Sequence, residues 1–364
     1  MKVGILGGGQ LAQLLALAAR DLDIETLCLC ERDDEPASRY SPIMLDDGGD
    51  ATLKKFADAV DVITLENENV ATTRLNFLSA LKPVYPGAKA IEKSQDRWLE
   101  KSMFKALDIA TVPFANITSE AELNTAWQSF DHNAVLKTRR FGYDGKGQMR
   151  LKHADDITKA WAVLGQMPLI LEGFLAFDFE VSLIGARNVS GQTVFYPLIK
   201  NQHTDGILRL STAPFIDAAL QAQAEQAMQK IFAALDYVGV LAFEFFVKDG
   251  QLYANEIAPR VHNSGHLTLE GANISQFHLH LLSVTKQLLP TPEFVAPTAM
   301  INLIGTLPKQ EDVLAKVPAA HYYDYGKSPR LGRKLGHISV SASNAGELDA
   351  LVLKIKRVES EGNH

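Results

Sequence analysis

The chain has 364 residues, of which 46% are hydrophobic and 22% charged, and a formal net charge of −7. That length leaves room for two or three domains around a large core, in proportions ordinary for a globular protein in water. The negative charge argues against nucleic acid as a partner, no apolar run reaches the length of a membrane helix, and the N-terminus carries no signal-peptide pattern, so a cytoplasmic protein is expected.

Residues 2–6 read as a buried strand, 7–9 as a glycine turn, 10–20 as a strong helix and 24–30 as a second strand ending at Glu31. The only cysteines, Cys28 and Cys30, fall on one face of that strand and read as reduced core residues. Gly7, Gly9 and Ala12 fit G-x-G-x-x-A with an acid about 20 residues on, which taken alone is a dinucleotide-binding fingerprint. The same glycines would equally let a helix N-terminus approach another phosphate. Residues 47–59 read as a helix and 60–65 as a strand running into Glu66-Asn67-Glu68-Asn69. Polar residues there either face a ligand at the carboxyl end of a parallel strand or cap the next helix. With a helix at 73–82 and a short strand at 84–86, residues 1–92 form a small Rossmann-like parallel-sheet domain.

Residues 93–107 are expected to form one charged helix containing Arg97, and a new unit begins at 111–113. A helix at 120–127 and a strand at 134–137 lead to Lys137 and the loop T-R-R-F-G-Y-D-G-K-G-Q, with glycines at 142, 145 and 147. A returning strand at 148–151, a helix at 155–164 and a strand at 169–172 complete a small, mostly antiparallel subdomain over 93–172. Backbone amides of such a loop can line a polyphosphate, with lysines adding charge. The G-K-[ST] ending of a Walker A loop is missing, and an ordinary flexible hairpin is the plainer alternative.

In the remainder, 173–364, a strand at 179–185 contains Glu180, and a strand at 194–199 leads to Asn201, His203 and Asp205-Gly206. A long amphipathic helix spans 220–235. Residues 241–247 and 252–258 are two strands around Lys248-Asp249-Gly250, each with one acid, Glu244 and Glu256. A two-residue loop would pair Glu244 with Asn255 and send Glu256 to the other face. A three-residue loop would make the two acids diagonal neighbours on one face, roughly 7–8 Å apart at Cα. The Lys-Asp-Gly sequence favours the three-residue loop. Two such carboxylates can converge on Mg²⁺, which takes oxygen ligands and keeps substrate phosphates in its shell. Acids inside so apolar a strand need a partner, and a polar cluster follows at once: Arg260, His262, Asn263, Ser264, His266. Residues 267–289 read as mostly helical, with His278 and His280 as surface or core residues. A strand at 300–303 and a glycine-containing basic turn at 326–337 precede a strand at 338–340, and the tail beyond residue 357 reads as frayed.

A lysine strand, a glycine flap, an acidic linker and two late glutamates, in that order, resemble the ATP-grasp carboxylate–amine ligases. The stretches R-R-F-G-Y-D-G-K-G-Q, F-Y-P-L-I-K-N-Q-H-T-D-G-I-L-R, N-E-I-A-P-R-V-H-N-S-G-H and G-R-K-L-G-H, with the N-terminal G-G-G-Q-L, resemble more narrowly the 5-(carboxyamino)imidazole ribonucleotide synthases of purine biosynthesis. That resemblance spans nearly the whole chain and implies an ATP-grasp fold acting on ATP, bicarbonate and aminoimidazole ribonucleotide. It implies that Arg97, Lys137 and Gly142, Tyr143, Asp144, Gly145, Lys146, Gly147 and Gln148 hold ATP phosphates. Glu172, Gly173, Phe174 and Leu175 would meet the adenine and Glu180 the ribose, with His203 and Asn255 beside the nucleotide. Glu244 and Glu256 would bind Mg²⁺. Tyr143, Arg260 and His262, with Asn263 and Ser264, would face bicarbonate and the aminoimidazole; Gln10, Glu66, Arg333 and Lys334 would hold the ribonucleotide. Many ATP-grasp enzymes carry an asparagine two residues after the second acid; here that position is Ala258, so a water or phosphate oxygen would fill its place. A homodimer is the family expectation. Rival readings are another ligase of this superfamily, a nicotinamide-dependent oxidoreductase using the N-terminal glycines, and a non-catalytic nucleotide-binding regulator.

Overall fold

The structure is a computed structural model and describes residues 1–142 and 146–361. Among the described residues there are three sheets. The first is parallel, four-stranded and N-terminal: Ile43–Leu45, Glu25–Cys30, Lys2–Leu6 and Val62–Leu65, in that spatial order. Helix Gln10–Asp21 is buried nearly all round, as befits a run that is apolar on every face. The expected strand at 84–86 is only an isolated bridge from Val84 to Ile63.

The expected helix at 93–107 is two helices, Ala88–Ser94 and Arg97–Ala106. The Asp96 carboxylate accepts the Trp98 and Leu99 amides at 3.0 and 3.4 Å, so an N-cap restarts the helix there. The second sheet is antiparallel, in the order Phe114–Ile117, Leu169–Gly173, Ala134–Thr138, Gln148–Leu151. It has a core of its own, built on Leu123, Trp127, Leu136, Ile157 and Leu171.

The third sheet is antiparallel and nine-stranded. Hairpin strands Gln251–Ala258 and Gly239–Lys248 lie at one edge, followed inward by Phe179–Arg187, Leu198–Thr204 and Ile207–Phe215. Thr298–Ile304, Lys334–Ser341 and His321–Asp324 complete it, and Thr193–Phe195 pairs beside Phe179–Arg187. The expected strand at 194–199 is therefore two, parted at Tyr196-Pro197, where proline supplies no ladder donor. Asp205 and Gly206 both take positive φ, 52° and 74°, and turn the chain into the unexpected strand Ile207–Phe215. The helical run 267–289 is likewise broken, into Thr268–Gly271 and Gln276–Val284.

The C-terminus is not frayed beyond residue 357: helix Ala345–Glu361 continues there, with Leu348, Val352, Ile355 and Val358 buried at helical spacing. A single core joins the N-terminal sheet and helix Gln10–Asp21 to helix Gln276–Val284 and the large sheet. Across this joint the buried His280 Nε2 meets the Thr64 hydroxyl at 2.7 Å while its Nδ1 accepts the Val240 amide. Burial lowers the His280 pKa to about 4, so the joint is closed by a neutral ring at neutral pH.

Candidate active site

The register of the late hairpin sets the centre of the site. Lys248 pairs with Gln251, so the loop has two residues, Asp249 and Gly250, both at positive φ as a type I′ turn requires. The expected three-residue loop is thus incorrect, yet the acids still share a face. A bulge shifts the ladder between Glu244 and Phe245, leaving Asn255 as the extra residue and Glu244 directly opposite Glu256. One cross-strand row then runs Glu256, Glu244, Ser182, and the next runs Glu180, Asn201, Ser211. Partners directly opposite on neighbouring strands share a face.

Glu256, Glu244, Glu180 and Asn201 of these rows floor a cleft of about 1310 Å³ that the second sheet and the loop 67–69 after the N-terminal strand Val62–Leu65 also border. At one end Lys137 Nζ donates to Glu172 Oε2 at 2.9 Å, and the buried Lys101 lies 3.9 Å from the same oxygen. Burial alone would raise the Glu172 pKa, but Lys101, Lys137 and Arg97 together bring it down to about 2. Gly173, Phe174 and Leu175 continue this wall, with the Arg150 guanidinium 3.3 Å from the Phe174 ring centre. Arg97 reaches the base of the flap, donating to the carbonyls of Thr138 (2.9 Å) and Gly142. Gly142, Lys146 and Gln148 line the cleft, whereas Gly147, at φ 68°, packs on Thr138. Tyr143, Asp144 and Gly145 lie outside the described residues.

In the middle, His203 hydrogen-bonds Glu180, and this bond together with Glu244 raises the His203 pKa against the effect of burial. Burial, then Glu256, pushes Glu244 up to about 7. His262 Nε2 is 3.5 Å from Glu244 Oε1; burial first, then the charges of Arg260 and Lys334, hold this ring well below the ordinary imidazole range. Arg260 forms a two-point pair with Glu68, its Nε donating to Oε2 and its Nη2 to Oε1, the latter at 3.0 Å. At the far end Lys327, Arg330, Arg333 and Lys334 line the cleft, and Lys327 donates to Gln10.

Three expected substrate residues are set back from the lining. Glu66 is buried, and its two oxygens accept the Gly9 and Ala12 amides at 2.6 and 3.0 Å. A carboxylate thus occupies the helix N-terminus where a dinucleotide's pyrophosphate would lie, and a Cβ on Gly7 or Gly9 would stand within 3 Å of it. The glycine fingerprint is spent on this internal contact, which removes the oxidoreductase reading. Asn263 exchanges amide hydrogen bonds with Asn302 at 2.9 and 2.6 Å. Ser264 is fully buried behind His262. Lys327, Glu68 and Glu100 are cleft residues that sequence reasoning passed over. Lys327 and Glu68 stood inside clusters already singled out, but Glu100 lies in an unremarkable helix and gave no signal.

Three family descriptions match in succession: a ribonucleotide synthetase preATP-grasp domain over 1–95, an ATP-grasp domain over 102–277, and a phosphoribosylaminoimidazole carboxylase C-terminal domain over 298–351. The chain is 46% identical to the N5-carboxyaminoimidazole ribonucleotide synthase of Pseudomonas aeruginosa, covering 98% of this chain and 99% of that protein. Its fold matches the crystal structure of N5-carboxyaminoimidazole ribonucleotide synthetase from Thermus thermophilus, with a TM-score of 0.93, 41% identity and 98% of each chain covered. It matches that of N5-carboxyaminoimidazole synthase from Aspergillus clavatus in complex with ADP and 5-aminoimidazole ribonucleotide, with a TM-score of 0.91 and 28% identity over 99% of this chain and 98% of that one. The chain belongs to the N5-carboxyaminoimidazole ribonucleotide synthase family of ATP-grasp ligases.

Proposed function

We propose that this protein joins bicarbonate to the exocyclic amine of 5-aminoimidazole ribonucleotide with ATP, giving 5-(carboxyamino)imidazole ribonucleotide, ADP and phosphate. The observation that carries this reading is one cleft that holds a lysine-and-glycine end, a pair of opposed carboxylates and a basic turn. Bicarbonate is a poor electrophile. Its oxygen attacks the γ-phosphorus of ATP, the bond to the β–γ bridging oxygen breaks, and ADP leaves carboxyphosphate behind. The amine nitrogen then attacks the carboxyl carbon, the C–O bond to phosphate breaks, and the nitrogen loses a proton.

Lys137 and the flap, Gly142 to Gln148 with Tyr143, Asp144 and Gly145 among them, neutralise the ATP phosphates, and Arg97 anchors the flap base. Glu172 to Leu175 receive the adenine, Glu180 with His203 the ribose. Arg260 and His262 face the bicarbonate-derived group, while Gln10, Lys327, Arg333 and Lys334 take the ribonucleotide. Glu66, Asn263 and Ser264 act from behind, by fixing a helix end and two side chains. Glu244, which burial and the facing Glu256 push up to about 7 when no cation is near, suits a divalent ion shared with that partner. Among the described residues no group of three or more His, Cys, Asp or Glu could hold a metal, so phosphate oxygens would complete the shell. Mg²⁺ on Glu244 and Glu256 would supply charge neutralisation at the transferring phosphate. Water exclusion matters because carboxyphosphate hydrolyses readily. A cytoplasmic homodimer belongs to the same reading.

ADP release measured with each component omitted tests it. Release should require both bicarbonate and aminoimidazole ribonucleotide. Full-rate release without the ribonucleotide would overturn the assignment.

A further inference from the structure

Behind His262 a line of polar side chains leaves the cleft and enters the sheet. His262 Nδ1 is 2.9 Å from the Ser264 hydroxyl, which is 2.9 Å from that of Ser182. Ser182 is 2.9 Å from the Asn201 amide, whose other end is 2.8 Å from the Ser211 hydroxyl. The three serines are fully buried and Asn201 nearly so. Ser182, Asn201 and Ser211 come from three adjacent strands, Phe179–Arg187, Leu198–Thr204 and Ile207–Phe215.

Two donors to His262 Nδ1 set the direction of the bonds in this line. The Ser264 backbone amide is 3.3 Å from His262 Nδ1, and an amide N–H only donates. This long contact biases Nδ1 toward accepting, and the Ser264 hydroxyl at 2.9 Å holds it there. The Ser264 hydroxyl has a single proton and directs it to Nδ1, so Ser182 must direct its own to Ser264. Asn201 then presents its NH₂ to Ser182 and its carbonyl oxygen to Ser211, which donates. The imidazole proton is left on Nε2, the atom that faces Glu244.

We propose that Ser182, Asn201 and Ser211 are positioning residues that hold His262 as an Nε2–H donor, so that His262 gives a hydrogen bond to an oxyanion of the bicarbonate-derived group and does not act as a base. The inference rests on the cleft being the reaction site, but its first readout is independent of turnover. Two-bond ¹H–¹⁵N correlation spectra of the ligand-free protein, with His262→Gln to assign the ring, report the tautomer directly. The wild type should show Nε2–H alone.

Asn201→Asp reverses the line. A carboxylate only accepts, so Ser182 turns its proton toward residue 201, and Ser264 turns its proton toward Ser182. The Nδ1–H form should appear beside Nε2–H, since the long Ser264 amide contact persists, with kcat lower by about 10- to 100-fold. Ser182→Ala breaks the line without adding charge and should give both tautomers; it serves if Asn201→Asp does not fold. Nδ1–H in the wild type, or Nε2–H alone in the folded variants, would overturn the proposal. So would an altered tautomer with unchanged kcat. A wild type that shows Nε2–H yet never consumes aminoimidazole ribonucleotide would instead overturn the assigned reaction.

Discussion

Two acids of the same cleft, Glu172 buried and Glu244 half-buried, are driven in opposite directions. Burial, then the facing Glu256 carboxylate, lets Glu244 hold its proton up to about pH 7; at Glu172 Lys101 and Lys137 outweigh burial and it titrates near 2. The sign for stability follows. Without a cation, native Glu244 binds a proton between its ordinary range and about pH 7 while the unfolded chain does not, so its contribution to stability falls as pH rises through that window. Glu244→Gln removes the slope. Urea unfolding without Mg²⁺ should show the variant gaining on the wild type from about pH 5 to about pH 8; a constant difference between the two would contradict the raised Glu244 pKa. Glu172 behaves oppositely: its stabilisation is complete above the ordinary carboxylate range and is lost as pH falls toward about 2.

At the scale of elements, the helix Arg97–Ala106 brings the nearly inaccessible Lys101 against strand Leu169–Gly173. Lys101 Nζ also donates to Thr111 Oγ1 (3.0 Å) and the Ala254 carbonyl (2.9 Å), tying the lid subdomain to the hairpin that carries the paired acids. Removing one partner from such a buried set leaves a charge uncompensated, at about 3–5 kcal/mol. Glu172→Gln should lose stability on that order by denaturant titration, and a loss below about 1 kcal/mol would mean that Lys101 is satisfied by its neutral partners. The hairpin also shows what the residues themselves reveal. Its strands and its two acids were plain from apolar runs and Asp-Gly. The bulge at Asn255 was not, because a one-residue shift is decided by the neighbouring strand, and it rescued the expected side for the acids through the wrong loop. Helix Ala345–Glu361 was missed for the opposite reason: its charged exposed face masks four buried residues spaced along the other.

Across the whole molecule, the site exists only where the N-terminal sheet, the lid and the large sheet meet. Local periodicity located most of the elements, and motif order located the cleft, but pairings between distant segments had no local signal. The Glu68–Arg260 pair is separated by 192 positions, and it aims the guanidinium at the centre of the cleft. Glu68→Ala should free Arg260 from that geometry and lower kcat/KM for bicarbonate on the order of 10²-fold, with ATP affinity little affected by equilibrium dialysis. Equal losses for both would place Arg260 at the nucleotide instead. Glu66 carries a similar lesson: adjacent in sequence to the useful acid, it is turned by two backbone amides into a cap.

In the proposed reaction ATP activates bicarbonate before the amine attacks. Turnover with ¹⁸O-labelled bicarbonate, ATP, Mg²⁺ and aminoimidazole ribonucleotide tests this most directly, with mass spectrometry of the released phosphate. Attack by a bicarbonate oxygen on the γ-phosphorus requires that each phosphate carry one bicarbonate-derived oxygen. Phosphate without label, formed at the same rate as the carboxylated ribonucleotide, would contradict carboxyphosphate and with it the role assigned to the cleft.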